Sequence, residues 1–260
     1  MATNLLDHKN SMIISIISFI EKHKDKTWIP PSPPPGLSPV DFTRWLFDQD
    51  DMGWLKLDID IDLDRWKEES KLAERYYVNH RDSENYAGMK HHGWLSCCIH
   101  GIGIDRTQAE ETATRDLFHW TELSDQIPVI TNFWKKFPVE GYKRLRFMKL
   151  EGNGFIGVHN DLPIGVKNVS LKDLEVLKQS VAIDVAVIHP ENCDFISENF
   201  GTVPWKEGNT YIINLTKNHC VSNNSNIPRV HVIAECIIGN RIKEFSELIY
   251  RSYKKQYGYN

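Results

Sequence analysis

The sequence has no CxxC pair, no long hydrophobic run and no surplus of positive charge. Its five cysteines, Cys97, Cys98, Cys193, Cys220 and Cys236, are odd in number, and two are adjacent. A disulfide framework and a cysteine zinc site are therefore not expected, and a reducing, cytoplasmic setting is. With 31 Lys and Arg against 35 Asp and Glu, the net charge is −4, which removes the bulk electrostatic case for a nucleic-acid partner. The one long apolar run near the start, MIISIISFI at 12–20, is too short to span a bilayer, and EKHKDK follows where signal cleavage would need small residues. It reads as an amphipathic helix with Ile13, Ile16, Ile17 and Ile20 on one face, so no membrane partner is expected. GIGID at 101–105 lacks the third glycine of a dinucleotide fingerprint, and there are no internal repeats.

What remains is a 260-residue chain, 41% hydrophobic and 25% charged, long enough to bury a substantial core. Residues 30–39, PPSPPPGLSP, cannot be helix or central strand and read as an extended spacer or surface strap. Helices are predicted over 64–78 with Asp64 near the cap, over 107–122 with Thr107 as N-cap, over 126–137 and over 240–256. YKRLRFMKL, SVAIDVAVI, NTYIINL and RVHVIAECII are short, alternating and β-branched, which predicts strands. The expected fold is mostly β with flanking helices: a jelly-roll barrel preceded by a helical N-terminal half. The boundaries read as 1–39 for helix and Pro-rich arm, 40–140 for a helical or mixed support region, 141–239 for the β core and 240–260 for the closing helix.

His159-Asn160-Asp161 is the strongest candidate for chemistry. The His-x-acid pattern is weak alone: it recurs at His23-Lys24-Asp25, His80-Arg81-Asp82 and His189-Pro190-Glu191, and about one or two matches arise by chance. His23 reads as a solvated helix end and His80 as a loop residue. His159 differs because it follows RFMKLEGNGFIGV, read as strand, Gly-Asn-Gly turn and second strand. On a strand, residues i and i+2 face one way, so His159 and Asp161 can share an ion. A facial triad of two histidines and a carboxylate would need one more histidine, with His189, His219 and His231 as candidates. His219 is preferred because Arg229 follows ten residues later, sharing a strand face with His231. An inward arginine is costly without an anion, which a dicarboxylate would supply.

RFMKLEGNGFIGVHND, VAVIHPENC and GNTYIINLTKNHCVSNNSNIPRVHVIAE together resemble the aspartyl/asparaginyl β-hydroxylase family, over roughly residues 142–238. The likeness is to its bacterial HxD amino-acid hydroxylases. It implies a double-stranded β-helix core, Fe(II), 2-oxoglutarate and O2, and hydroxylation of an amino acid or peptidyl side chain with release of succinate and CO2. It further implies that His159, Asp161 and His219 are the catalytic iron ligands and that Arg229 pairs with the distal carboxylate of 2-oxoglutarate. His231 falls where related oxygenases place a second cosubstrate contact. Asp161 stands where the animal peptidyl members have glycine, and Ala182, with Asp184 two residues on, stands where they have a second arginine for the cosubstrate. Arg146, alternating with Met148 and Leu150, and Trp94, in MKHHGWLSCCIHG, are candidate substrate contacts. Two other readings stay open: a cupin-type metalloenzyme that does not use 2-oxoglutarate, and a non-catalytic β-barrel binding module.

Overall fold

The computed structural model describes residues 15–49, 52–80, 85–86, 89–106, 115–161 and 181–258. Helix α1 covers residues 15–23, and α2 (Pro39–Phe47) starts where the Pro-rich segment ends. Ser38 accepts from the amide of Asp41 and Pro39 occupies the first turn, so the last proline of the strap also begins a helix. The strap lies along the closing helix, α6 (Ile242–Tyr257), where Tyr253 Oη donates to the carbonyl of Pro31. Phe42 of α2 sits 5.1 and 5.0 Å from the rings of Tyr250 and Tyr253, edge-on to both.

The strands, all antiparallel, run β1 (Trp54–Lys56), β2 (Val78–Asn79), β3 (Asn85–Tyr86), β4 (Met89–Gly101), β5 (His119–Trp120), β6 (Gly141–His159), β7 (Val181–Ile188), β8 (Cys193–Ser197), β9 (Gly201–Thr202), β10 (Thr210–Ile213), β11 (His219–Asn223) and β12 (Arg229–Ile237). They pair in the order β1-β10-β7-β12-β6-β11-β8-β9, with β4 also along β6. Residues 141–150 of β6 pair with β12, and residues 155–159 pair with β11. One long strand therefore leaves the first set of partners and enters the second, which curls the sheet on itself. The bend lies at Asn153, whose φ is 60°, and the facing strand β4 bends with it at Gly93, φ 68°. A side chain at Gly93 would also meet Glu151 Cβ at 2.8 Å, so glycine is required there twice over.

Alternation along the strands divides the interior. Val230, Val232 and Ala234 of β12, Leu145 and Phe147 of β6, and Ile183 and Val185 of β7 face the helices. That outer core also receives Trp66 from α3 (Leu63–Leu72), and Ile130 and Trp134 from α5 (Pro128–Lys136). Asp62 caps α3, and the Glu69 carboxylate accepts the amides of Val129 and Ile130 at 2.9 Å, capping α5 from across the fold. The opposite faces enclose a second cluster between the two halves of the curl, with Trp94, Met148, Leu150, Phe195, Tyr211 and Val221. Helix α1 covers the outside of the smaller half, packing Ile16 against Ile196 and Cys220. All five cysteines are buried and unbonded.

Several local expectations differ from what is observed. The Gly-Asn-Gly turn is a kink inside a single 19-residue strand, because both sides of it keep ladder partners. The helix expected over 64–78 ends at Leu72 and gives way to a 3₁₀ turn at Glu74–Tyr76 and then β2. Of the helix expected over 107–122, residues 107–114, including Thr107, lie outside the described residues; Arg115–Leu117 form a 3₁₀ turn, and His119–Trp120 pair with β4. The helix expected over 126–137 is present as α5, which Pro128 opens, and a separate short helix, α4 (Glu122–Gln126), precedes it. His23 is buried against Phe19, 4.6 Å between rings, rather than solvated. His80 is buried too, with Nδ1 2.8 Å from Ser96 Oγ. Ile13 lies outside the described residues.

Candidate active site

His159 ends β6 and His219 begins β11, and the two are direct cross-strand partners. Register thus brings together two residues that are sixty apart in sequence. Their ring centroids lie 4.2 Å apart. Asp161 follows, its amide held by the carbonyl of Leu215 at 2.9 Å. Its carboxylate oxygens lie 3.7 Å from His159 Nε2 and 4.0 Å from His219 Nε2. Among the described residues this is the one His/Cys/Asp/Glu group whose ligand atoms, all within 4.8 Å of one another, could hold a metal.

The hydrogen bonds of the two rings fix their tautomers. His159 Nδ1 lies 2.8 Å from the carbonyl of Gly157, and His219 Nδ1 lies 2.9 Å from that of Lys217. A carbonyl only accepts, so each Nδ1 carries the proton and donates. Both Nε2 lone pairs are then directed at Asp161. A backbone-anchored imidazole is what orients a histidine ligand. Phe195 of β8 stacks on His219 at 5.0 Å and 13°, fixing the ring plane. Burial, reinforced by His159, lowers the His219 pKa to about 4, against the pull of Asp161. The imidazole is neutral at neutral pH, as a metal ligand must be. This donor set of two imidazoles and one carboxylate, with one side left open, fits Fe(II).

Deeper in the curl lies a second polar group. Arg229 opens β12 and is 3% exposed. Its Nη2 is 3.5 Å from Asp184 Oδ2 and 2.8 Å from His231 Nδ1. His231, fully enclosed on the same face, also has Nδ1 2.8 Å from Asp184 Oδ1, and Nε2 3.0 Å from His189 Nδ1. Nε of Arg229 is buried with no hydrogen-bond partner among the described residues. An orphaned guanidinium nitrogen inside the curl leaves room for an anion to accept from it, which is the chemistry a dicarboxylate offers.

Arg146 lies on the inner face of β6. It is buried, 3.2 Å from Glu235 Oε1, and Arg144 binds the same carboxylate. Burial lowers its pKa to about 10, and Asp161 is among the carboxylates that oppose the shift. Trp94, 8% exposed, lies 6.4 Å from the His159 ring and 4.1 Å from that of His80. All seven residues singled out from the sequence therefore lie on or between the inner faces of the curl. Asp184 and Phe195 were not among them, and His189 was a candidate third ligand to which His219 was preferred. The period-two face of VAIDVAVI puts Asp184 inside with Ala186, which is a readable signal; the partners of His189 and Phe195 require the three-dimensional register.

A profile of the family described as Aspartyl/Asparaginyl beta-hydroxylase matches residues 58–237, well over half of the chain. No curated relative matches the sequence. Among solved structures, a Pseudomonas putida prolyl-4-hydroxylase is 11% identical, with a TM-score of 0.37, covering 71% of this chain and 92% of its own. An oxidoreductase of the 2OG-Fe(II) oxygenase family from Burkholderia pseudomallei is also 11% identical, with a TM-score of 0.37, covering 66% and 92%. A viral collagen prolyl hydroxylase from Paramecium Bursaria Chlorella virus-1 is 10% identical, with a TM-score of 0.35, covering 71% and 96%.

Proposed function

This chain belongs to the aspartyl/asparaginyl β-hydroxylase family, and from that premise we propose that His159, Asp161 and His219 hold its iron while Arg229 holds its 2-oxoglutarate. The family makes it a 2-oxoglutarate-dependent non-haem iron dioxygenase that hydroxylates an amino acid or a peptidyl side chain. Among the described residues, no helix is long and apolar enough to cross a membrane.

The observation that carries the assignment is the cross-strand histidine pair. Main-chain carbonyls hold both Nδ1 protons, so both Nε2 lone pairs converge on one carboxylate. Iron and 2-oxoglutarate, when bound, supply the oxidising power that places an oxygen atom from O2 into an unactivated C–H bond, releasing succinate and CO2. The chain's own residues position and shield. Arg229 offers Nε and Nη2 to the distal carboxylate of the cosubstrate. His231 has both ring nitrogens engaged, with Asp184 and His189, so it acts on the cosubstrate by positioning Arg229. Trp94 and Phe195 close the site beside His159 and His219 and keep water from it. Arg146, facing the same interior and sharing Glu235 with Arg144, is the substrate's carboxylate contact.

Anaerobic titration of the purified protein with Fe(II) and 2-oxoglutarate tests the reading. A visible charge-transfer band should appear, and Arg229→Ala should demand far more 2-oxoglutarate to produce it. Metal binding without a band, together with an unaffected Arg229→Ala protein, would overturn it. Succinate release screened across free amino acids and short peptides then identifies the substrate.

A further inference from the structure

Asp184 stands against the guanidinium that the proposed function gives to the cosubstrate. It lies on the inner face of β7, opposite Ile233 of β12 and Tyr211 of β10, and is buried. One arginine cannot serve two anions equally in so enclosed a place: a dicarboxylate reaching Arg229 meets Asp184 within hydrogen-bonding range of the same cation.

The hydrogen bonds admit two proton arrangements. His231 Nδ1 lies 2.8 Å from Asp184 Oδ1 and 2.8 Å from Arg229 Nη2, which can only donate, and His231 Nε2 lies 3.0 Å from His189 Nδ1. In the first arrangement Asp184 is ionised. His189 Nδ1–H donates to His231 Nε2, His231 Nδ1–H donates to Asp184, and Arg229 Nη2 directs its hydrogens to Asp184 Oδ2, 3.5 Å away, rather than to His231. In the second Asp184 is neutral. Its O–H and an Arg229 Nη2–H share the His231 Nδ1 lone pair, and His231 Nε2–H donates to His189 Nδ1. The two differ by one proton. It passes from His189 to His231 and from His231 to Asp184, while His189 takes a replacement from solvent at Nε2. His189 is only partly buried and precedes Pro190, which lines a surface pocket, so the outer end of the chain lies near water.

We infer that Asp184 is a counter-ion which 2-oxoglutarate must neutralise, so that cosubstrate binding takes up one proton through the His189–His231–Asp184 chain. This rests on the reading of Arg229 as the cosubstrate's anchor. The groups facing Asp184 leave it as the one that titrates near neutrality. Burial pushes its carboxyl up to about 7, opposed by Arg229 and then by His189. Burial holds His231 well below the ordinary histidine range and, together with His231, takes His189 down to about 3. On β10, Tyr211 is raised by burial, and on β8 burial raises Cys193 to about 11. With Asp184 ionised above its own pKa and neutral once the cosubstrate is bound, affinity must fall as pH rises. A single linked proton sets the limit at about tenfold in Kd per pH unit.

Anaerobic calorimetric titration of the Fe(II) protein with 2-oxoglutarate, in two buffers of different ionisation enthalpy, counts the protons. Relative to Asp184→Asn, wild type should take up close to one proton at pH 8 and close to none at pH 6. Its Kd should rise with pH, and that of Asp184→Asn should stay flat. Wild-type binding that depends on Arg229 but shows neither a buffer-dependent heat nor a pH slope overturns the proton linkage and leaves the anchor standing. Binding indifferent to Arg229→Ala, or absent at every pH, overturns both.

Discussion

Glu235→Gln offers a stringent energetic test of the interior. Glu235 of β12 faces inward between Arg144 and Arg146, and both guanidiniums bind its Oε1. Glutamine keeps the shape and removes the charge, leaving two cations in a space built for a net charge of plus one. Breaking a buried pair by removing one partner costs about 3–5 kcal/mol. Glu235 keeps 18% of its side chain exposed and Arg144 keeps 17%, so the lower end, about 3 kcal/mol, is expected. At roughly 2–4 °C per kcal/mol for a chain of this size, the melting temperature should drop by about 6–12 °C. The pH dependence has a definite sign. Burial pushes the Glu235 carboxyl up, but Arg144 and then Arg146 more than offset it, and the net pKa is lowered. A lowered folded pKa adds stability above the ordinary carboxylate range and loses it as pH falls through the folded value. The gap between wild type and Glu235→Gln should therefore be full at pH 7 and close in acid. Urea unfolding at pH 7 and at pH 3.5 measures both, and Arg146→Met with Glu235→Leu should cost less than the sum of the single changes. A loss below about 1 kcal/mol at pH 7, or a gap that widens in acid, would refute the reasoning.

Two further outcomes concern the metal. Asp161 is 49% exposed, so Asp161→Ala should leave stability within about 0.5 kcal/mol of wild type while abolishing both the charge-transfer band and succinate release; an active variant would remove Asp161 from the triad. Phe195→Leu takes away the ring stacked on His219 and should weaken Fe(II) binding by about tenfold, the lower end for a residue that orients a ligand, as read by chelator competition. An affinity within twofold of wild type would mean that the His219 carbonyl bond suffices.

The strands predicted in the β core were legible because their faces are unambiguous, whereas β8 and β11 were not picked out. VAIDVAVI, NTYIINL and RVHVIAECII alternate or run apolar between turn residues, and β7, β10 and β12 lie within them. The proposed ligands His159 and Asp161 were legible from the same period of two, whereas His219 was reached through Arg229 ten residues on and the resemblance of the spacing to a known family. β4 was harder to read. His91-His92-Gly93 interrupts any alternation, and the strand holds because β6 pairs along almost its whole length, a contact no local pattern encodes. Helical periodicity over-extended the 64–78 and 107–122 readings because ladder pairing of β2 and β5 with β4 overrides propensity at their ends. Arg146, in the basic run YKRLR, resembles a surface residue until the register sets it opposite Ile233, two residues from the carboxylate that pays for its burial. Asp184 was visible beside Ala182, the position that departs from the peptidyl members, but its place beside Arg229 and His231 is a property of the β7–β12 pairing.

The cross-strand pairing of His159 with His219 sets what can be redesigned in the site. The separation of these two ligands is written in main-chain hydrogen bonds, which side-chain substitution does not reach. Asp161 lies beyond the end of β6, half exposed, its amide held by the Leu215 carbonyl and its carboxylate facing both imidazoles. The site is thus a backbone-set frame with one replaceable part. Asp161 can be exchanged, and with it the proposed third ligand and the number of open positions on a bound metal, while the cross-strand histidine pair keeps its spacing.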